Sequence, residues 1–156
     1  MTSRQDFTDE EWTRIRRAPL VAGVAISLAD PGGPIELAKE TMATLRSATL
    51  PPSQQELLAA VALDIQAMTQ HRQNPLADFK PRGGQQVLEE LKAVNALVTA
   101  KATAEEAEAF RRWLLAAAQA AADAGKEGDF LGFGGEQVSA GEQRMLEQVR
   151  AALGMT

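Results

Sequence analysis

Four times along the chain a hydroxyl residue is followed three places later by glutamate: Thr8 and Glu11, Ser53 and Glu56, Thr103 and Glu106, Ser139 and Glu142. In such a capping box the hydroxyl accepts the backbone N–H three residues on, and the carboxylate reaches back to the N–H of the cap. One match carries little. Four, each opening a segment with apolar residues at helical spacing, commit the chain to α-helix. Phe7 and Trp12 flank the Thr8 cap in the places of a hydrophobic staple.

Between these starts the stops are equally plain. The first helix runs from Thr8 to about Arg17, and Pro19 either kinks it or opens a second helix reaching Asp30. Asp30-Pro31-Gly32-Gly33-Pro34 breaks the chain, and Pro34 suits the first turn of a helix to about Thr49, which Leu50-Pro51-Pro52 ends. Ser53 to about Gln73 carries Leu57, Leu58, Val61, Ile65 and Met68 on one stripe. After a loop with Pro75, Pro81 and Gly83, a helix from about Gln85 to Ala100 buries Val87, Leu88, Leu91, Val94 and Val98. Thr103 opens an alanine-rich helix with Phe110, Trp113, Leu114, Ala117 and Ala121 inward, stopping near Ala124-Gly125. Ser139 to Leu153 closes the chain, with Leu146, Val149 and Leu153 inward. No segment alternates apolar and polar residues as a strand does. The expectation is an all-α fold, a single domain over 1–156, built as an antiparallel bundle of about six helices around Ala18–Ala29.

Composition narrows function mostly by exclusion. Absence of Cys removes disulfides, thiol catalysis and thiolate metal sites, and fits a reducing, cytoplasmic setting. The longest apolar run, Ala18 to Ala29, is interrupted by Ser27 and falls short of the roughly 20 residues a membrane span needs. The polar, acidic start MTSRQDFTDEEW does not read as a cleavable signal. A net charge of −5 argues against a cationic grip on nucleic acid. The one basic cluster, Arg14, Arg16 and Arg17, is either a solvated helix face or the seat of an anionic partner.

Reactive chemistry is sparse. With a single histidine, His71, and no Glu-x-x-His, a di-iron centre of the ferritin kind and a His-Glu-x-x-His zinc site are excluded. Asp64 and His71 stand two turns apart, about 10 Å on a straight helix, too far to bond directly. Asp30, Glu36 and Glu40 could hold a divalent cation through oxygens; alternatively Glu36 favours the positive end of its helix and Glu40 faces solvent. Gly132-x-Gly134 lacks the third glycine of a dinucleotide loop, so Phe130, Leu131 and Phe133 there read as a plug for the end of the bundle or as a docking site. Asn95 falls inside an apolar stripe, where it either sets pairing with a partner helix or is satisfied by a nearby loop carbonyl. No catalytic or cofactor-binding residue emerges, and no cofactor is expected.

Trp12, Ala18-Pro19, Ala29-Asp30-Pro31-Gly32-Gly33 ahead of a helix bearing Lys39-Glu40, and the late Gly132-Phe133-Gly134-Gly135 give the chain a resemblance over most of its length. It resembles an uncharacterised bacterial family patterned Trp-x-x-x-x-x-Ala-Pro, Ala-Asp-Pro-Ser-Gly and Gly-Phe-Gly-Gly. The chain departs from it in having Gly32 where serine is usual, and the likeness transfers no catalytic residue. Asp30, Glu36, Glu40 and Ser139-x-x-Glu142 are also similar to the TerB-like tellurite-resistance group, which implies a stress-response module binding a divalent metal. The leading expectation is a non-catalytic bundle acting through protein contacts, its own copies first. That metal module is one alternative, and a carrier of an apolar small molecule between alanine-lined helices is the other.

Overall fold

The Thr8 box closes in both directions: Thr8 Oγ1 accepts the Glu11 N–H at 3.1 Å, and Glu11 Oε1 accepts the Thr8 N–H at 2.8 Å. The staple forms with it, the Phe7 and Trp12 rings lying 6.1 Å apart. In the computed structural model, which describes residues 2–30, 33–126 and 139–155, a short 3-10 turn, Arg4–Asp6, leads into this cap. The α-helices that follow are α1 (Asp9–Ala29), α2 (Pro34–Thr49), α3 (Glu56–Gln70), α4 (Gly84–Lys101), α5 (Ala104–Lys126) and α6 (Ala140–Ala152). No strand occurs among the described residues. The fold is an all-helical bundle.

Pro19 neither ends nor restarts a helix. It lies inside the continuous α1, buried with Ala18, Leu20 and Val21. Proline deprives the Ile15 carbonyl of its helical N–H, a loss of about 3 kcal/mol or more in a helix interior. Burial of almost every side of α1 between Trp12 and Ile26 offsets it. Both α1 and α5 pack against each other and against every other helix, so the core is a two-helix axis rather than one central rod. Trp113, Phe110 and Leu114 of α5 meet Ile15, Val21 and Ile26 of α1 in one buried cluster.

Ser53 does not cap α3. The N-cap is Gln55, two residues later, and the Ser53 hydroxyl is buried with no hydrogen-bond partner among the described residues. Gln54, Gln55 and Glu56 offer no apolar side chain to anchor an earlier turn, so the buried Leu57 and Leu58 set the start. The Ser139 box closes fully, and Thr103 accepts the Glu106 N–H at 3.1 Å.

Two helices end alike. The Gln73 N–H bonds Met68 O and the Arg72 N–H bonds Thr69 O after α3; Met155 bonds Arg150 O and Gly154 bonds Ala151 O after α6. Each is a Schellman ending, which places one residue in the left-handed region. That residue is Gly154, φ 68°, in one and Arg72, φ 57°, in the other. The ending at Arg72 stops α3 three residues short of the expected Gln73.

Candidate functional site

The α1–α2 contact begins at Gly23. A β-carbon there would lie 2.3 Å from Thr44 Oγ1 and 2.4 Å from Thr44 Cγ2, so only glycine lets α2 come this close. The row α2 turns inward is Glu40, Thr44 and Ala48, and no large apolar side chain of the helix is fully buried. Leu45 packs, partly buried, against the core, but the other large apolar residues of α2 are exposed: Ile35 by 75%, Met42 by 62% and Leu37 by 51%, with Leu50 just after the helix at 67%. An amphipathic helix ordinarily does the reverse. Large exposed apolar side chains gathered on one helix point to an interaction surface.

Two apolar clefts flank α2. On one side, α1, α2 and the loop after α3 enclose about 220 Å³, lined chiefly by Leu20, Val24, Leu28, Leu37 and Leu76. The hydroxyls on this wall are spoken for: Ser27 donates to Glu40 Oε2 at 2.5 Å, Thr41 to Leu37 O at 2.8 Å and Thr44 to Glu40 O at 2.7 Å. What the cleft offers an incoming group is therefore hydrocarbon. The other flank holds about 600 Å³ between α2 and the end of α5, lined by Pro34, Ile35, Ala38, Met42, Ala43 and Ala124, with Lys39 and Arg46 at its edge.

The wall carrying Leu76 is held from α1 by the arginines of the basic cluster. Arg17 lies 5.0 Å from the Phe79 ring centroid and donates to Glu90 Oε1 at 3.2 Å. Arg14 forks onto the same carboxylate, Nε to Oε1 at 3.0 Å and Nη2 to Oε2 at 2.9 Å. Burial would raise the Glu90 carboxyl, yet the two guanidiniums hold it below the ordinary range. Arg16 pairs with Asp64, 3.4 Å away, which also accepts the Trp12 indole N–H at 2.8 Å. The cluster is neither a solvated face nor an open anion site; it is paired within the chain by carboxylates of α3 and α4.

The candidate metal ligands differ in burial. Glu40 is buried against Ser27, not solvent-facing, whereas Asp30 and Glu36 are exposed. Among the described residues no group of three or more His, Asp or Glu side chains could hold a metal ion. Desolvation raises the Glu40 carboxyl above its ordinary value, against the Ser27 hydrogen bond, and the negative charges of Glu142, Glu36 and Asp30 push the same way. Asp64 serves Trp12 and Arg16, and His71 is exposed at the end of α3.

Asn95 is half-buried at the edge of α4, where Arg111 of α5 donates to its Oδ1 at 3.3 Å. Its partner is a side chain of the same chain rather than a loop carbonyl. Phe130 and Phe133 lie outside the described residues. Sequence reasoning missed the cleft-lining Leu20, Val24, Leu37 and Leu76. The available signal was the i, i+4 row Glu40, Thr44, Ala48, too small and polar to be a core stripe opposite the larger residues of α2.

No family model, no curated protein and no solved structure matches the chain. Among the described residues no helix is long and apolar enough to cross a membrane.

Proposed function

We propose that the chain is a non-catalytic, cytoplasmic protein-interaction module that associates first with its own copies, through the cleft between α1 and α2. The observation that carries the reading is the small, polar inner row of α2, Glu40, Thr44 and Ala48, together with a half-exposed Leu37 that lines a cleft of leucine and valine. A protruding leucine beside an apolar groove is self-complementary, as a two-fold contact requires. Engagement of the wall hydroxyls supports recognition by shape and apolar burial rather than by hydrogen bonding. The 220 Å³ volume also favours a protein side chain over a free ligand, since small-molecule pockets run from roughly 300 to 1,000 Å³.

Leu37→Glu tests the reading, because the residue is half-exposed and its replacement leaves the core intact. Light scattering should find a parent dimer and a variant monomer of unchanged helicity. A parent that stays monomeric at high concentration defeats the proposal.

A further inference from the structure

Two walls of the α1–α2 cleft are helices; the third is the loop carrying Leu76. Each end of that loop is tied to the helix it adjoins. The Gln73 N–H bonds Met68 O at the end of α3, at 2.8 Å, and the Arg82 N–H bonds Gln86 Oε1 at the start of α4, at 2.9 Å. Between these ties, residues 74–81 bond to one another. The Leu76 N–H meets Asn74 Oδ1 at 2.9 Å, the Ala77 N–H meets Asn74 O at 3.1 Å, and the Phe79 N–H meets Leu76 O at 3.0 Å. Pro75 and Pro81 fix the backbone at two further places, so the segment keeps its shape and moves as a body.

Little holds this body against the helices beneath it. Among the described residues, no hydrogen bond or ion pair joins residues 74–81 to α1 or α2. Its large apolar side chains, Leu76 and Phe79, are each only partly buried against the core. The Phe79 ring lies over the Arg17 guanidinium at 5.0 Å, and Glu90 fixes that guanidinium from α4 at 3.2 Å. A segment with few buried apolar contacts and no backbone bonds to its surroundings opens at a lower free energy than the whole fold.

We propose that residues 74–81 are a strap that lifts from the α1–α2 cleft and closes over it, with Phe79 on Arg17 as its latch. When the strap is down, Leu76 completes the hydrocarbon wall; when it is up, Leu20 and Val24 meet water and the cleft lacks its third side. An occupant that touches Leu76 binds the closed form alone and so holds the strap in place. This goes beyond self-association, because the strap moves whether or not a second copy enters the cleft.

The chain has no cysteine, so one introduced thiol reports on one place. Leu20→Cys puts it in the cleft, whereas Val149→Cys puts it at a fully buried site on α6 that lines no part of the cleft. Their reaction with an aromatic disulfide reagent is followed in dilute solution, without urea and at low urea, with helicity checked by circular dichroism. Leu20→Cys should react at least tenfold faster than Val149→Cys and at a rate nearly indifferent to low urea. Val149→Cys should accelerate steeply with urea, since its thiol is reached only through global unfolding. Adding Phe79→Ala should speed Leu20→Cys at least tenfold with that indifference kept. Phe79→Tyr, which leaves a ring over Arg17, should react near the parent rate. Val24→Cys, from the same cleft, repeats the measurement if Leu20→Cys loses helicity. A cleft thiol that follows Val149→Cys in its urea dependence, or one indifferent to Phe79→Ala, overturns the proposal.

Discussion

Replacing Gly23 by alanine should destabilise the protein although alanine is the better helix former. In an exposed helix interior the exchange would gain about 1 kcal/mol. Here the new methyl lands 2.3, 2.4 and 2.8 Å from three side-chain atoms of Thr44, where ordinary contact begins at about 3.4 Å. Rotating Thr44 gives no escape, since its β-carbon is one of the three and its hydroxyl is tied to Glu40 O at 2.7 Å. Either α2 moves out by about an ångström or α1 bends. Overpacking of this kind costs typically 1–3 kcal/mol, occasionally more. A clash this close belongs at the upper end of that range, so that after the propensity gain of about 1 kcal/mol the net loss should be about 2 kcal/mol, or about 4–8 °C in Tm for a chain of this size. Urea and thermal melts followed by circular dichroism at 222 nm measure it. Thr44→Gly in the Gly23→Ala background should recover much of the loss, because it moves the missing methyl to the other helix. A Gly23→Ala protein as stable as its parent would mean that α1 and α2 are not in this contact, and the clefts built on it would go with them.

Glu40 should make stability depend on pH with the opposite sign to the paired carboxylates. Its folded-state pKa is raised by burial, so its contribution is full below the unfolded pKa and is lost as pH rises through the folded one; Glu90 and Glu106, held low, contribute above the unfolded pKa and lose it on acidification. Glu40→Gln should therefore be more stable than the parent at neutral pH, with the gap closing in acid; a constant gap in melts across pH contradicts this. Glu90→Ala should cost about 2 kcal/mol, discounted from the 3–5 kcal/mol of a fully buried pair because Arg14 is partly exposed, and a chemical melt unchanged by it would refute the anchoring of the loop wall. Arg72→Gly should stabilise by about 0.5–1 kcal/mol, since glycine enters the left-handed region without the Cβ clash, and a loss in the same melt would contradict the Schellman ending.

Helix starts written within four residues were legible where nothing distant competed. Thr8 and Ser139 close their boxes as their spacing implies, while Ser53 yields to the burial of Leu57 and Leu58, which depends on helices far along the chain. Pro19 misleads for the same reason: local chemistry marks it as a break, and packing on nearly every side of α1 overrides it. The stripes of α3, α4 and α5 could be read because leucine, valine and phenylalanine recur at helical spacing. That of α2 could not, because its inner row is chosen for the space Gly23 leaves and not for hydrophobicity. Arg14, Arg16 and Arg17 look like an open basic patch in sequence because their partners, Asp64 and Glu90, arrive from 48 to 76 residues away.

Self-association through the Leu37 cleft is tested most directly by sedimentation equilibrium on three proteins at rising concentration: the parent, Leu37→Glu and Leu63→Glu. Leu63, on α3, is exposed like Leu37 but lines no part of the α1–α2 cleft. The same chemical change is thus made inside and outside the proposed contact. The parent and Leu63→Glu should approach twice the chain mass, with Leu37→Glu weakened more than tenfold, the effect of losing about 1.4 kcal/mol or more at an interface centre. A parent that remains at 16.7 kDa throughout, or a Leu37→Glu variant that dimerises as the parent does, would contradict the account.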